Sequence, residues 1–182
     1  MKDSPLKAAF LDRDGVINHD LSYIGRPEDF VLIDGVPEAL RMLCDAGYAL
    51  VVVTNQSGIG RGYYNEGDYR RVTDRMRMLL ADQGIEFAAI LHCPHAPTDG
   101  CDCRKPQPGM LLAGADRIGA ALDRSVLFGD KESDIAAGRA AGVARCFLIG
   151  PPGSAARCDA DGDGADLLAC VRLLLADNSV GI

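Results

Sequence analysis

Residues 10–18 read Phe10-Leu11-Asp12-Arg13-Asp14-Gly15-Val16-Ile17-Asn18, an apolar run that ends abruptly in two carboxylates and a glycine. Residues 8–11 have the length and composition of a short buried strand, so Asp12 and Asp14 fall in the turn at its carboxyl end. Open α/β sheets bind their ligands at that edge. A carboxylate placed there serves as nucleophile, metal ligand or proton carrier. Asp-x-Asp-Gly alone also fits a calcium loop or an Asx-rich turn, so its meaning depends on what the rest of the chain brings to the same edge.

Outward from this strand, Pro37 and Gly47 bracket a short amphipathic helix, and residues 49–53 form a second buried strand ending in Thr54-Asn55-Gln56-Ser57-Gly58. A glycine-rich loop follows, and Asn65 with Asp68 three residues later caps a helix that Gly84 stops. Residues 87–91 make a third strand. A helix after Pro106 and Pro108 runs to about 118, residues 125–128 a fourth strand, Gly129-Asp130-Lys131 opens a helix to about 141, and residues 145–149 a fifth strand. This alternation predicts an α/β fold, a doubly wound, mainly parallel sheet, in one domain spanning 1–182. Residues 150–165, rich in Pro, Gly, Ser and Asp, read as a mobile connection before a leucine-rich C-terminal helix. Asp159, Asp161 and Asp163 match the first half of an EF-hand loop, but Cys170 stands where that loop needs a bidentate Glu, so a solvated acidic turn is expected.

Composition narrows the classes. A chain of 182 residues is long enough to bury a core, with 48% hydrophobic and 25% charged residues. Nineteen basic against 26 acidic residues leave a net charge of −7, which argues against nucleic-acid or anionic-membrane partners. The polar start, without a secretory apolar region, and the short apolar runs lead us to expect a cytoplasmic protein, and we expect a monomer. Seven cysteines is an odd number, and Cys93, His95, Cys101 and Cys103 crowd together, which in a reducing compartment points to a metal rather than disulfides. Three thiolates and an imidazole suit tetrahedral Zn²⁺ in a closed, structural site. Cys44, Cys146, Cys158 and Cys170 stand apart as core or surface thiols, and His19 and His92 read as structural.

The strand ends collect Asp12 and Asp14, Thr54, Arg104 and Lys105, and Asp130 on one rim. Phosphoryl transfer needs an in-line nucleophile, a divalent cation and donors that hold the transferred group, and each part is present in this set. The order Asp-x-Asp-Gly, strand-end Thr54, Lys105, then Gly129-Asp130-x-x-x-Asp134 resembles the haloacid dehalogenase superfamily of phosphatases. The runs 54–62, Cys93-Pro94-His95 and 101–110 look like its branch of heptose-bisphosphate and histidinol-phosphate phosphatases.

The resemblance implies a Rossmann-like core and residue roles. Asp12 would be the nucleophile and Asp14 the general acid and base, with Thr54 and Lys105 clamping the phosphoryl group. Mg²⁺ would be held by Asp12, the Asp14 carbonyl and Asp130, while Asp134 would stand behind the metal or orient Lys131. Substrate contacts would come from Asp20, Leu21, Ser22 and Tyr23, from Asn55, Gln56, Ser57 and Arg61, and from Arg104 and Lys131. The intervals between these motifs leave no room for a cap domain. The expected reaction is removal of the 7-phosphate of a heptose 1,7-bisphosphate through an aspartyl-phosphate; Arg104, Lys131 and Arg61 supply cations for the second phosphate. Histidinol phosphate is the alternative substrate, and a catalytically silent zinc-bearing interaction module the alternative class.

Overall fold

The computed structural model describes residues 5–178. Its six strands are β1 (Lys7–Leu11), β2 (Tyr48–Asn55), β3 (Ala89–Cys93), β4 (Val126–Gly129), β5 (Arg145–Ile149) and β6 (Gly162–Gly164). They form one sheet in the order β3-β2-β1-β4-β5-β6, with every neighbouring pair parallel. The order runs outward in both directions from β1 and β4. The crevice beyond their carboxyl ends is therefore the topological switch point where doubly wound sheets bind ligands.

Among the described residues six α-helices accompany the strands: α1 (Val36–Asp45), α2 (Ser57–Gly60), α3 (Glu66–Ala81), α4 (Gly109–Ile118), α5 (Glu132–Ala141) and α6 (Leu167–Asn178). A parallel sheet must be covered on both faces, and the period-2 alternation of its strands divides the apolar residues accordingly. Ala9, Leu11, Val52 and Phe128 point into a core closed by α1, α3 and α6. Ala8, Phe10, Val53 and Leu127 point into a second core closed by α4 and α5. Phe10, Leu11 and Phe128 are fully buried, and burial of each such side chain contributes about 1.5–3 kcal/mol. Asn65 caps α3 as expected: its side chain accepts from Asp68 N while Asp68 reaches back to Asn65 N.

The structure moves several expected boundaries. Strand β3 starts two residues later than read and delivers Cys93 within the ladder, opposite Asn55. Residues 57–60, read as a glycine-rich loop, make a single helical turn. The segment 150–165 is not simply a connection, because β6 lies within it and adds a sixth strand to β5. Its acids serve the backbone: Asp161 accepts from Cys146 N at 2.6 Å and Asp163 from Ala155 N at 2.8 Å. Backbone donors need acceptors, and these carboxylates serve one in β5 and one in the 3₁₀ turn before β6.

Between Asp14 and Thr54 the chain contributes a loop with a short 3₁₀ turn, α1 and β2; between Lys105 and Asp130 it contributes α4, another such turn and β4. No cap domain stands over the crevice among the described residues.

Candidate active site

Asp12 leaves β1 with its backbone N–H still bonded to Phe128 O at 3.1 Å, so the strand ladder itself places the carboxylate. Lys105 Nζ approaches Asp12 Oδ1 at 3.1 Å, Asp134 Oδ1 at 2.7 Å and Val53 O at 2.7 Å. All three ammonium protons therefore have acceptors, and the amine is pinned beside the Asp12 carboxylate. Asn55 holds the same residue by its backbone, accepting from Lys105 N and donating to Lys105 O, both at 3.1 Å. Burial alone would lower the Lys105 ammonium, but Asp12 and Asp134 outweigh it and hold it above the usual lysine value.

Asp12, Asp130 and Asp134 each bring a carboxylate oxygen into one group spanning no more than 4.8 Å. Burial pushes Asp12 up to about 7 despite Lys105, and Asp134, Asp130 and Asp14 add to the rise. The site thus carries more negative charge than its lysine neutralises. Asp134 has both oxygens engaged, by Lys105 Nζ and by Lys131 N at 3.0 Å, so it fixes the Lys105 amine and the start of α5. It orients Lys105 rather than the Lys131 side chain. Asp130 Oδ1, in contrast, is buried with no protein partner. Hard oxygen donors, unmet negative charge and an unpaired buried carboxylate oxygen fit a divalent cation between Asp12 and Asp130. Gly15 makes room for this arrangement: at φ +87° a Cβ there would lie 2.4 Å from Asp130 Oδ2.

Asp14 belongs to a second, contiguous network that includes residues the sequence reading did not select. Arg13, 1% exposed, places Nη2 3.0 Å from Asp14 Oδ2, and Asn18 Nδ2 donates to Asp14 Oδ1 at 2.9 Å. Gln56 Nε2 donates both to Asp14 Oδ2 and to Thr54 Oγ1, each at 2.8 Å. Gln56 Oε1 accepts from Tyr64 Oη at 2.5 Å and from Arg13 Nη2 at 3.2 Å. Burial would raise Asp14, but the Arg13 charge and the bonds from Asn18, Arg13 and Gln56 outweigh it and hold the carboxyl below its ordinary value. A Thr54 hydroxyl that accepts from Gln56 retains its own proton to donate. Arg13, inside Asp-x-Asp, and Tyr64, after Gly62, carried no periodicity or spacing signal, because their roles arise only where β1 and β2 lie side by side.

Cys93, His95, Cys101 and Cys103 converge as expected. Their ligand atoms stand 3.3–3.6 Å apart along the contacts Cys93–His95, Cys93–Cys101, Cys101–Cys103 and His95–Cys103. A tetrahedral ion with about 2.3 Å bonds to sulfur and about 2.0 Å to nitrogen needs edges of roughly 3.5–3.8 Å, so the set fits one metal. The loop is tied to the neighbouring turn: Gln56 N donates to Cys93 O and Gly60 N to Pro94 O, both at 2.8 Å.

A cleft of about 660 Å³ opens over these groups. Asp12, Asp14, Thr54, Lys105 and Asp134 line its floor, and Asp20, Ser22, Tyr23, Arg104 and Lys131 line its rim. Asn55, Gln56 and Ser57 border it too, although the first two have their side chains engaged within the protein. Lys131 Nζ lies 3.4 Å from Asp20 Oδ2 and 3.5 Å from Asp130 Oδ2. Arg104 Nη1 is buried and unpartnered. Leu21 and Arg61 are exposed and stand outside the lining, so the structure does not bring them to the cleft. His92 stacks on Tyr69, with centroids 3.9 Å apart, behind the site, and bonds Glu66.

A parallel sheet that gathers paired aspartates, a threonine hydroxyl and a fixed lysine at its switch point defines a phosphoric monoester hydrolase of the haloacid dehalogenase type. A HAD-hydrolase-like family model matches residues 102–161. The chain is 43% identical over 157 residues to D-glycero-alpha-D-manno-heptose-1,7-bisphosphate 7-phosphatase of Photorhabdus laumondii, covering 82% of this chain and 85% of that one. It is 46% identical over 149 residues to D-glycero-beta-D-manno-heptose-1,7-bisphosphate 7-phosphatase of Vibrio cholerae, covering 78% and 80%. The crystal structure of D,D-heptose 1,7-bisphosphate phosphatase from B. bronchiseptica, complexed with magnesium and phosphate, is similar with a TM-score of 0.85 at 33% identity, covering 94% of this chain and 99% of that one. The chain belongs to the haloacid dehalogenase superfamily, in the family of these heptose-bisphosphate 7-phosphatases.

Proposed function

We propose that this protein removes the 7-phosphate of D-glycero-D-manno-heptose 1,7-bisphosphate in a Mg²⁺-dependent reaction through an aspartyl-phosphate. The observation that carries the chemistry is the convergence of Asp12, Lys105 and Thr54 on one cleft floor, with the unpaired Asp130 oxygen grouped with the Asp12 carboxylate. The relatives' names support the substrate, as do the cations on the rim.

In this reading an Asp12 oxygen bonds to phosphorus as the bond to the sugar oxygen breaks, and Asp14 gives its proton to that oxygen. Water then bonds to phosphorus, the bond from phosphorus to the Asp12 oxygen breaks, and Asp14 takes a proton from the water. Without substrate, Arg13, Asn18 and Gln56 favour the ionised Asp14 that the second step requires. The charge of a bound phosphate ester acts in the opposite direction and favours the protonated form for the first. Thr54 and Lys105 hold the transferred group, each such donor being worth about 10²- to 10³-fold in rate. Asp12 and Asp130, with the Asp14 carbonyl, would hold Mg²⁺, which neutralises charge on the phosphoryl oxygens when bound. Cys93, His95, Cys101 and Cys103 would hold a structural Zn²⁺ that stiffens the loop presenting Arg104 and Lys105.

The test is phosphate release from a panel containing both heptose 1,7-bisphosphate anomers, heptose 7-phosphate and histidinol phosphate, with and without Mg²⁺. We expect a heptose bisphosphate to have the highest kcat/KM, with turnover lost in Asp12→Asn. Highest kcat/KM for histidinol phosphate would overturn the substrate; near-normal turnover by Asp12→Asn would overturn the covalent step.

A further inference from the structure

Tyr64 is half-buried at the cleft wall, and two glycines make way for its ring. A Cβ on Gly58 would lie 2.2 Å from Tyr64 Cε1, and one on Gly25 would lie 2.8 Å from Tyr64 Cβ. Neither glycine has a positive φ, so space for this ring, rather than backbone freedom, is what requires them. The ring is thus seated in one place, and its hydroxyl reaches Gln56 Oε1 at 2.5 Å.

An amide side chain has nearly the same shape after a 180° flip, so only its partners' donor or acceptor character sets its direction. Gln56 Oε1 faces two donors, Tyr64 Oη and Arg13 Nη2. Gln56 Nε2 faces two acceptors, Asp14 Oδ2 and Thr54 Oγ1. Of the two donors, Arg13 is the weaker hold, at 3.2 Å, and its Nη2 is already bonded to both Asp14 oxygens. Burial pushes the Tyr64 phenol up to about 12, so it remains a donor throughout the neutral range.

We propose that Tyr64 is a positioning residue, its hydroxyl setting the Gln56 amide so that Nε2 aims the Asp14 carboxylate for proton transfer; this rests on the phosphatase reading above. Tyr64 does not itself touch the reacting atoms in this scheme. In the first step its effect should follow the need for a proton at the leaving group, whereas the water step uses Asp14 whichever ester was cleaved. A sugar alkoxide needs that proton, whereas p-nitrophenolate departs without it.

The experiment compares Tyr64→Phe with wild type on heptose 1,7-bisphosphate and on p-nitrophenyl phosphate. The ring and its packing are kept. We expect kcat on the sugar ester to fall about 10- to 100-fold, part of the 10²- to 10⁴-fold typical of general acid–base catalysis. KM on the sugar ester should stay within about twofold, and the single-turnover rate of p-nitrophenolate release, which precedes the water step, within about threefold, small against that catalytic range. A raised KM with kcat intact would make Tyr64 a substrate contact and overturn the proposal; equal losses in the single-turnover release of both leaving groups, or no loss, would also overturn it. A measurement independent of turnover is the Gln56 side-chain NH₂ signal in ¹⁵N spectra. It should exchange slowly in wild type and faster in Tyr64→Phe with the backbone spectrum otherwise preserved, and an unchanged signal would overturn the proposal. No wild-type turnover of either ester would overturn the phosphatase reading and this proposal together, whereas active wild type matched by Tyr64→Phe would overturn the proposal alone.

Discussion

Gly15 shows how closely single residues are tied to the chemistry. Its φ of +87° is one that side chains rarely adopt, and a Cβ would press on the Asp130 carboxylate. Gly15→Ala should therefore cost roughly 1–2 kcal/mol in backbone strain. It should also weaken Mg²⁺ binding, by the about 10- to 100-fold seen when a metal ligand loses its support; calorimetric titration of the variant checks this. A second residue-scale expectation concerns pH. Asp12 is pushed up to about 7 by burial, so below that value a proton competes with the metal for it. Because the raised pKa means that the metal-free fold holds this proton more strongly, Mg²⁺ binding near neutrality should release protons. Affinity should rise with pH by at most about tenfold per unit up to pH 7 and flatten above it. Calorimetry in buffers of different ionisation enthalpy measures the release directly. The carboxylates Asp12, Asp14 and Asp130 are legible in the sequence because each follows an apolar strand; Asp134 is legible as the last acid of Gly129-Asp130-x-x-x-Asp134, but its pairing with Lys105 is not, since that residue is far away in the chain.

At the scale of elements, the loop after β3 presents Arg104 and Lys105 and is fastened at both sides. Its carbonyls at Cys93 and Pro94 accept from Gln56 N and Gly60 N, and Asn55 grips Lys105. A zinc ion on Cys93, His95, Cys101 and Cys103 would complete that fastening, and such sites contribute roughly 10–16 kcal/mol of apparent binding free energy. Protein purified without added metal should carry one zinc per chain by elemental analysis. Cys101→Ser should lose it, speed hydrogen exchange at Gly60 and Lys105, and lower the melting temperature. Absence of zinc, or unchanged exchange in the variant, would remove this role. The four ligands were readable from spacing within eleven residues; that the loop also braces the turn 57–60 was not, because that contact joins two strand ends.

For the whole molecule, no cap domain encloses the cleft among the described residues, so the proposed reaction is expected to rely on the rim for discrimination. Arg104 and Lys131 come from opposite sides of the switch point and flank the floor. Arg104→Ala should lower kcat/KM for a bisphosphate by about 10- to 100-fold, the equivalent of one hydrogen bond between charged groups. Hydrolysis of an aryl phosphate, which has no second phosphate, should change little. Loss of equal size on both substrates would place Arg104 on the transferred group instead. Among the described residues no helix is long and apolar enough to cross a membrane.

By itself the sequence determined the alternation of strands and helices, the parallel doubly wound class, the acids at strand ends and the cysteine–histidine set, because periodicity, turn chemistry and ligand spacing act over short stretches of chain. It did not reveal β6, whose Gly-Asp-Gly has no strand signal and is held in place by pairing with β5 and packing against α6. Nor did it separate Leu21 and Arg61 from the residues that reach the cleft, or disclose that Gln56 and Asn55 spend their amides on Asp14 and Lys105. Only the tertiary structure decided these points. Donor and acceptor partners 42 to 50 residues apart meet when β1, β2 and the loop after β3 share one edge, and buried polar groups then take whichever partner that geometry offers.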